Sequence, residues 1–141
     1  MTELTIDDIH QQLSDLNLKA DNIRIVTVNA MADAALAACS SKTEESFYNS
    51  YMNVIFRHGE RYVLGYRCEN PLQEHAIIKK GDQYFDPTGQ ANADFKPYQY
   101  ALLTEFKIFD MMKNAKMNKD FPPDVDFLFS KKKHFKNIIA E

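Results

Sequence analysis

The sequence has few of the residues on which several common kinds of site depend. Its 141 residues include four glycines and two cysteines, and no tryptophan. Four glycines leave little scope for a phosphate-binding loop, and no such motif occurs. Cys39 and Cys68 have no metal-ligand spacing and cannot form a framework of several disulfides. We therefore predict reduced thiols, no metal and no cofactor.

Long apolar runs and a basic surface are also missing. No segment approaches the length of a membrane span, and the N-terminal residues lack the basic and apolar regions of a signal peptide. The net charge of −3 and the isoelectric point near 5.8 argue against a nucleic-acid footprint. The basic run Lys131-Lys132-Lys133-His134 indicates a solvated helix face. We predict a cytoplasmic protein without a nucleic-acid or membrane partner.

With 45% hydrophobic residues, the chain is long enough for one globular domain spanning residues 1–141. Apolar spacing predicts an amphipathic helix over Ile6 to Leu18, and β-branched residues predict a strand over Ile23 to Val28. Alanine content predicts a helix over Ala30 to Cys39. Another helix should begin near Thr43, whose hydroxyl is a candidate cap.

The second half of the chain is predicted to alternate strands and helices. Tyr62 to Cys68 has strand composition, and Asn70-Pro71 turns the chain into a hairpin. The dense apolar pattern from Tyr98 to Met112 predicts a helix, and a final short element should cover Val125 to Ile139.

The predicted hairpin places His75 near Asp86. If Lys80-Gly81 is the loop, the numbers of opposed residues sum to 161, and His75 lies directly across from Asp86. If Gly81-Asp82 is the loop, the sum is 163, and Asp86 is diagonal to His75 on the same face. A carboxylate bonded to one ring nitrogen leaves the other free to accept a proton from a nucleophile. The alternative is that His75 and Asp86 are ordinary surface residues of a hairpin without a catalytic role.

Four segments follow one another in an order that carries a family resemblance. They are a helix start near Ser46, then Tyr62-Val-Leu-Gly-Tyr66, Glu74-His75-Ala76 and Tyr84-Phe85-Asp86-Pro87-Thr88. From about Thr43 to Gly89 this order resembles the papain-fold thiol hydrolases and acyltransferases, especially their transglutaminase-like branch. In that superfamily a cysteine opens the helix, and the histidine and aspartate follow on adjacent strands. The resemblance implies an α+β fold with helices packed on a small antiparallel sheet.

The chain departs from this pattern at the nucleophile, because Ser46 stands where the family carries cysteine. A serine hydroxyl has a much higher pKa than a thiol and depends on the base at the moment of attack. Three explanations remain open: Ser46 is native in a protein that keeps the fold for binding, it replaces a natural cysteine by design, or the register is wrong. In the last case Cys39 is the nucleophile.

The resemblance implies a thiol-type acyl hydrolase or acyltransferase that acts on a peptide, amide or ester bond. The nucleophile would be Ser46 or Cys39, with His75 as the base and Asp86 orienting it. The rival hypothesis is a non-catalytic module, an inhibitor or adaptor, that binds a partner protein on the same scaffold. Cys68 is interpreted as a strand residue that packs in the core.

Overall fold

The computed structural model describes residues 4–30, 46–55, 59–90, 95–110 and 123–140. Ala30, the first residue of the predicted helix Ala30 to Cys39, is not helical, and the rest of that helix and the candidate cap Thr43 lie outside these ranges. No helix within them is both long and apolar enough to cross a membrane.

The described residues form a mixture of helices and strands. In chain order the elements are α1 (Ile6–Asp15), a short 3-10 helix (Ala20–Asn22), β1 (Arg24–Asn29), α2 (Ser46–Ile55), β2 (Arg61–Arg67), β3 (Gln73–Lys80), β4 (Gln83–Phe85), α3 (Pro87–Gln90), β5 (Tyr98–Lys107) and α4 (Val125–Ser130).

The five strands close into a small barrel in the order β1-β4-β3-β2-β5. Four of the neighbouring pairs are antiparallel, and β1 pairs with β4 in parallel. The α+β class is therefore as expected. The expectation of a small antiparallel sheet is only partly met, because the sheet closes on itself and includes one parallel pair.

The barrel has an inner and an outer apolar face. Each strand contributes one buried residue to the inner cluster, which consists of Val28, Val63, Ile77, Tyr84 and Tyr100. Residues at alternate positions of β2, β3 and β5 form a second, larger cluster with the helices. Alternation along each strand sends neighbouring side chains to opposite faces. Each strand with both faces buried therefore carries a nearly continuous apolar sequence.

Helix α1 begins and ends at local signals in the sequence. The side chain of Thr5 accepts a hydrogen bond from Asp8 N, and Asp8 bonds back to Thr5 N, which completes a capping box. Ile9 and Leu13, one turn apart, are fully buried. The helix ends earlier than predicted, since Asn17 adopts a left-handed conformation with φ of 63°.

The predicted helix over Tyr98 to Met112 is wrong for its first ten residues, which form strand β5. Tyr100 belongs to the inner cluster, whereas Ala101 and Leu103 pack in the outer cluster. Because both faces of β5 are covered, its apolar run lacks the alternation that marks a half-exposed strand. A run of this kind also fits helical spacing, and the pairing with β1 and β2 decides between the two.

The predicted hairpin is formed by β3 and β4. Its opposed pairs are Ile78 with Phe85, Lys79 with Tyr84 and Lys80 with Gln83, so the residue numbers sum to 163. The loop is therefore Gly81-Asp82, the second of the two predicted registers. Gly81 has a positive φ of 61°, which glycine adopts without steric cost.

Gly65 of β2 lies where the backbone of β5 approaches most closely, next to an irregularity in the β2 and β5 pairing. A Cβ at this position would lie 2.1 Å from the carbonyl oxygen of Ala101. We expect Gly65→Ala to lower the free energy of unfolding by about 2 kcal/mol or more, because the strands must separate locally. Urea denaturation measures this change.

Gly81→Asn is the control for Gly65→Ala, since no atom lies within 4 Å of a Cβ at position 81 and asparagine tolerates positive φ. Equal losses of stability in the two variants would contradict the prediction.

Candidate active site

Asp86 is the buried centre of the site, and its side chain is fully inaccessible to solvent. It lies between the end of β4 and the start of α3. Its Oδ1 accepts a hydrogen bond from Gly89 N at 2.9 Å, so that it caps the short helix α3. Pro87 follows at the first helical position, where its missing N–H is harmless. A Cβ on Gly89 would lie 2.5 Å from Asp86 Oδ2, which explains glycine at that position.

His75 of β3 contacts this carboxylate, with 2.8 Å between Nε2 and Asp86 Oδ2. The expected proximity of the two side chains is therefore observed, in the diagonal arrangement of the second register. Only 12% of the His75 side chain is exposed. In a neutral imidazole that donates from Nε2, Nδ1 is an acceptor. Among the described residues, none is hydrogen bonded to Nδ1.

Tyr98 of β5 is a third member of the site that the sequence analysis missed. Its hydroxyl donates to Asp86 Oδ2 at 2.6 Å, the same oxygen that contacts His75. The Arg67 guanidinium lies over the Tyr98 ring, 4.4 Å from its centroid. Burial, followed by the charge of Asp86, raises the pKa of Tyr98, so the phenol stays protonated and donates. No local motif marks Tyr98, and its segment was predicted to be helical.

These hydrogen bonds keep Asp86 ionised although it is buried. Burial alone would raise the pKa of Asp86, because a carboxylate loses hydration. The bond and charge of His75 and the donors Gly89 N and Tyr98 OH oppose this effect and hold the pKa below its ordinary value of 3.8. The carboxylate is thus fixed as an acceptor that orients the imidazole.

Two serines of α2, one turn apart, contact the residue that follows His75. Ser46 Oγ accepts a hydrogen bond from Ala76 N at 3.2 Å, and Ser50 Oγ donates to Ala76 O at 2.8 Å. Strand β4 ends at Phe85, opposite Ile78, so Ala76 has no partner in that strand. The two hydroxyls satisfy the backbone groups that would otherwise remain unpaired. They place the first turn of α2 against the residue that follows His75.

From the inside of the barrel, Tyr100 holds the same stretch of β3. Its hydroxyl donates to the carbonyl oxygen of His75 at 2.5 Å, and the side chain is fully buried. The backbone of His75 and Ala76 is therefore fixed by a tyrosine on one side and two serines on the other. A rigid strand position limits the motion of the imidazole relative to Asp86.

The remaining candidates have different outcomes. Cys39 lies outside the described residues, so its position relative to His75 is not defined. Cys68 is half-buried against the outer cluster, and burial raises the pKa of its thiol to about 11, which makes it a poor nucleophile. Asn49 Nδ2 donates to Thr88 Oγ1 at 2.7 Å and thereby links α2 to α3.

The described residues contain no group of three or more histidine, cysteine or acidic side chains that could hold a metal ion. Comparison with protein-family models, with curated protein sequences and with solved structures gives no match.

The lowered pKa of Asp86 predicts a pH-dependent contribution to stability. Because its pKa is lower in the folded than in the unfolded chain, ionised Asp86 stabilises the fold above the unfolded pKa, and this contribution is lost as the pH falls through the folded value. We expect Asp86→Asn to cost about 1–3 kcal/mol at pH 7 and progressively less below pH ~4. Chemical denaturation of both proteins across this range measures the difference.

Asp82→Asn is the matched control for this experiment, because Asp82 is an exposed carboxylate in the β3 and β4 loop. It should change stability little at any pH. A loss in Asp86→Asn that stays constant down to pH ~2 would show that ionised Asp86 is not the stabilising form.

Proposed function

We propose that the chain is an acyl hydrolase or acyltransferase with a papain-like, transglutaminase-like core. Ser46 is the nucleophile, His75 the general base and Asp86 the residue that orients the base. The observation that carries this proposal is the 2.8 Å contact between His75 Nε2 and Asp86, beside the hydrogen bond from Ala76 N to Ser46 Oγ of α2. The acceptor Nδ1 is the nitrogen left for the nucleophile.

The reaction on this proposal follows the general scheme for a nucleophile, a histidine and an acid. His75 Nδ1 takes the proton of Ser46 as Oγ attacks the carbonyl carbon of a peptide, amide or ester. The tetrahedral intermediate collapses as the leaving group departs with that proton. Water hydrolyses the acyl-enzyme, or an amine or alcohol accepts the acyl group. Asp86 stays ionised and stabilises the imidazolium formed between the two steps.

Two features of Ser46 support its role as the nucleophile. Ala76 N donates to Ser46 Oγ, so the proton of this hydroxyl is not used in that bond and the donor also stabilises developing negative charge on oxygen. Ser46 is also buried within helix α2, whose described residues run from Ser46 to Ile55, so its hydroxyl is held in place by a regular element. The hydrogen bond from Ala76 N compensates in part for the high pKa of a serine hydroxyl.

A second candidate is a non-catalytic module that binds a protein or peptide at this scaffold. The observation that favours it is the burial of Ser46, which is only 5% exposed and whose hydroxyl serves the backbone of β3. On this reading Ser46 and Ser50 form a structural clamp on Ala76. A hydroxyl used in this way need not meet a substrate carbonyl.

A fluorophosphonate probe separates the two candidates in the unmodified protein. If Ser46 is activated by His75, the probe should label Ser46 on the folded chain, because it traps a serine whose proton has a nearby acceptor. Intact mass followed by peptide mapping identifies the site. Ser46→Ala and His75→Gln should abolish labelling, whereas Ser50→Ala should retain it. Absence of labelling on folded protein would favour the binding module.

Conversion of Ser46 to cysteine tests the geometry independently of serine reactivity. In Ser46→Cys, made with Cys39 and Cys68 replaced by serine, the thiol should ionise because of its proximity to His75. We expect alkylation by iodoacetamide at pH ~6 to be at least about tenfold faster than in the same protein carrying His75→Gln. Quenched time courses read by mass spectrometry give the rates.

Ser50→Cys in the same background is the matched control, because Ser50 lies one turn further along α2 and also contacts Ala76. Its thiol should react slowly at this pH and should be insensitive to His75→Gln. Equal rates at positions 46 and 50 would place the proposed nucleophile at the wrong residue.

A further inference from the structure

The end of the barrel away from His75 holds a second cluster of charged and polar side chains. Each of the five strands contributes one member on the inner face: Arg24, Arg61, Lys79, Tyr84 and Glu105. Lys79 lies four residues along β3 from His75, which corresponds to about 13 Å of strand. The cluster is therefore separate from the candidate active site, and the proposed function does not use it.

Glu105 is the only carboxylate among the five and has a side chain that is 12% exposed. Arg61 donates to its Oε1 at 3.1 Å, and the hydroxyl of Tyr84 donates to its Oε2 at 2.7 Å. Burial opposes ionisation, but the hydrogen bond from Tyr84 and the charges of Lys79 and Arg61 outweigh it and lower the pKa of Glu105. Glu105 is thus an anion at neutral pH.

Two of the three cations, Lys79 and Arg24, form only long ion pairs with the Glu105 carboxylate. Lys79 Nζ lies 3.6 Å from Glu105, and the nearest Arg24 nitrogen lies 4.0 Å away, both beyond ordinary hydrogen-bond length. Arg24 is anchored by one hydrogen bond, to the Tyr84 hydroxyl at 2.9 Å. A guanidinium has five N–H donors and an ammonium three, so most of their donors remain available.

These two cations border an open cavity of about 420 Å³. Its lining consists of Arg24, Val26, Thr27, Lys79, Asp82 and Tyr84. Asp82 is an exposed residue of the hairpin loop, and its charge is screened by solvent more than that of partly buried Lys79. With Arg61 and Glu105 included, three cations face two carboxylates, so the site carries an excess of positive charge.

We propose that this cavity binds the phosphate or carboxylate group of a small anionic molecule between Arg24 and Lys79. Arg24 of β1 supplies a planar pair of donors that matches either oxyanion. Lys79 supplies a point charge from β3, on the other side of Tyr84 in β4. The negative charge of the bound group neutralises the positive charge that Glu105 and Asp82 leave uncompensated. Tyr84 holds Arg24 in place and separates the ligand from Glu105.

Titration of the full chain with inorganic phosphate, and separately with acetate, tests the proposal at constant low ionic strength set by chloride. Backbone NMR signals of Thr27, Lys79 and Tyr84 should shift along saturable curves for at least one of the two anions. Tighter binding of phosphate would identify a phosphate site, and tighter binding of acetate would identify a carboxylate site. Absence of saturation with both anions would overturn the proposal.

Lys79→Ala and Lys80→Ala form a matched pair for this titration, because they are adjacent in β3 and their side chains point to opposite faces. Lys79→Ala should weaken anion binding about tenfold, and Lys80→Ala should leave it unchanged. Equal weakening in the two variants would show only a diffuse effect of charge and would contradict a built site.

Arg24→Gln keeps the test valid if Lys79→Ala fails to fold, because the Arg24 side chain is 67% exposed and its replacement removes little buried surface. It should also weaken binding about tenfold, while the thermal midpoint stays near that of the unmodified protein. Unchanged affinity in folded Arg24→Gln would overturn the proposed site.

Discussion

The hydrogen bonding of one buried carboxylate, Asp86, organises the candidate site. Its two oxygens receive Gly89 N from α3, the hydroxyl of Tyr98 from β5, and the imidazole of His75 from β3. A buried carboxylate without such partners would be strongly destabilising, so the three elements must meet around it. The geometry of the imidazole is therefore a consequence of how the barrel satisfies this charge.

Closure of the sheet gives the barrel two chemically different ends. Residues of the apolar inner cluster, such as Ile77 between His75 and Lys79 on β3, separate the Asp86 group from the group around Glu105. Each end contains a partly or fully buried acid whose pKa is lowered by donors from neighbouring strands. At the first end the donors are a backbone N–H, a phenol and the imidazole of His75. At the second end they include cations with unused donors. The first arrangement suits proton transfer, and the second suits attraction of an anion.

Local sequence signals predicted those features that depend on neighbouring residues. The start of helix α1 at Ile6, the strand at β2 and the turn at Gly81 were all readable, and the hairpin arithmetic put His75 and Asp86 on one face. The diagonal register could not be chosen in advance, because two adjacent dipeptides both contain the flexible glycine. Gly89 had a readable signal as well, since an Asp-Pro pair three residues before it is typical of a helix start.

The amino-acid sequence by itself determined the short-range geometry of the hairpin that presents His75 and Asp86, because side-chain alternation and turn preference are local properties. Tertiary structure alone decided that β5 is a strand, that the sheet closes, and that Tyr98 and Ser46 reach the segment around His75. These outcomes depend on pairing between segments far apart in the chain. A strand that is buried on both faces and a buried helix have similar apolar sequences. Only the pairing of neighbouring strands with the backbone of the segment distinguishes the two.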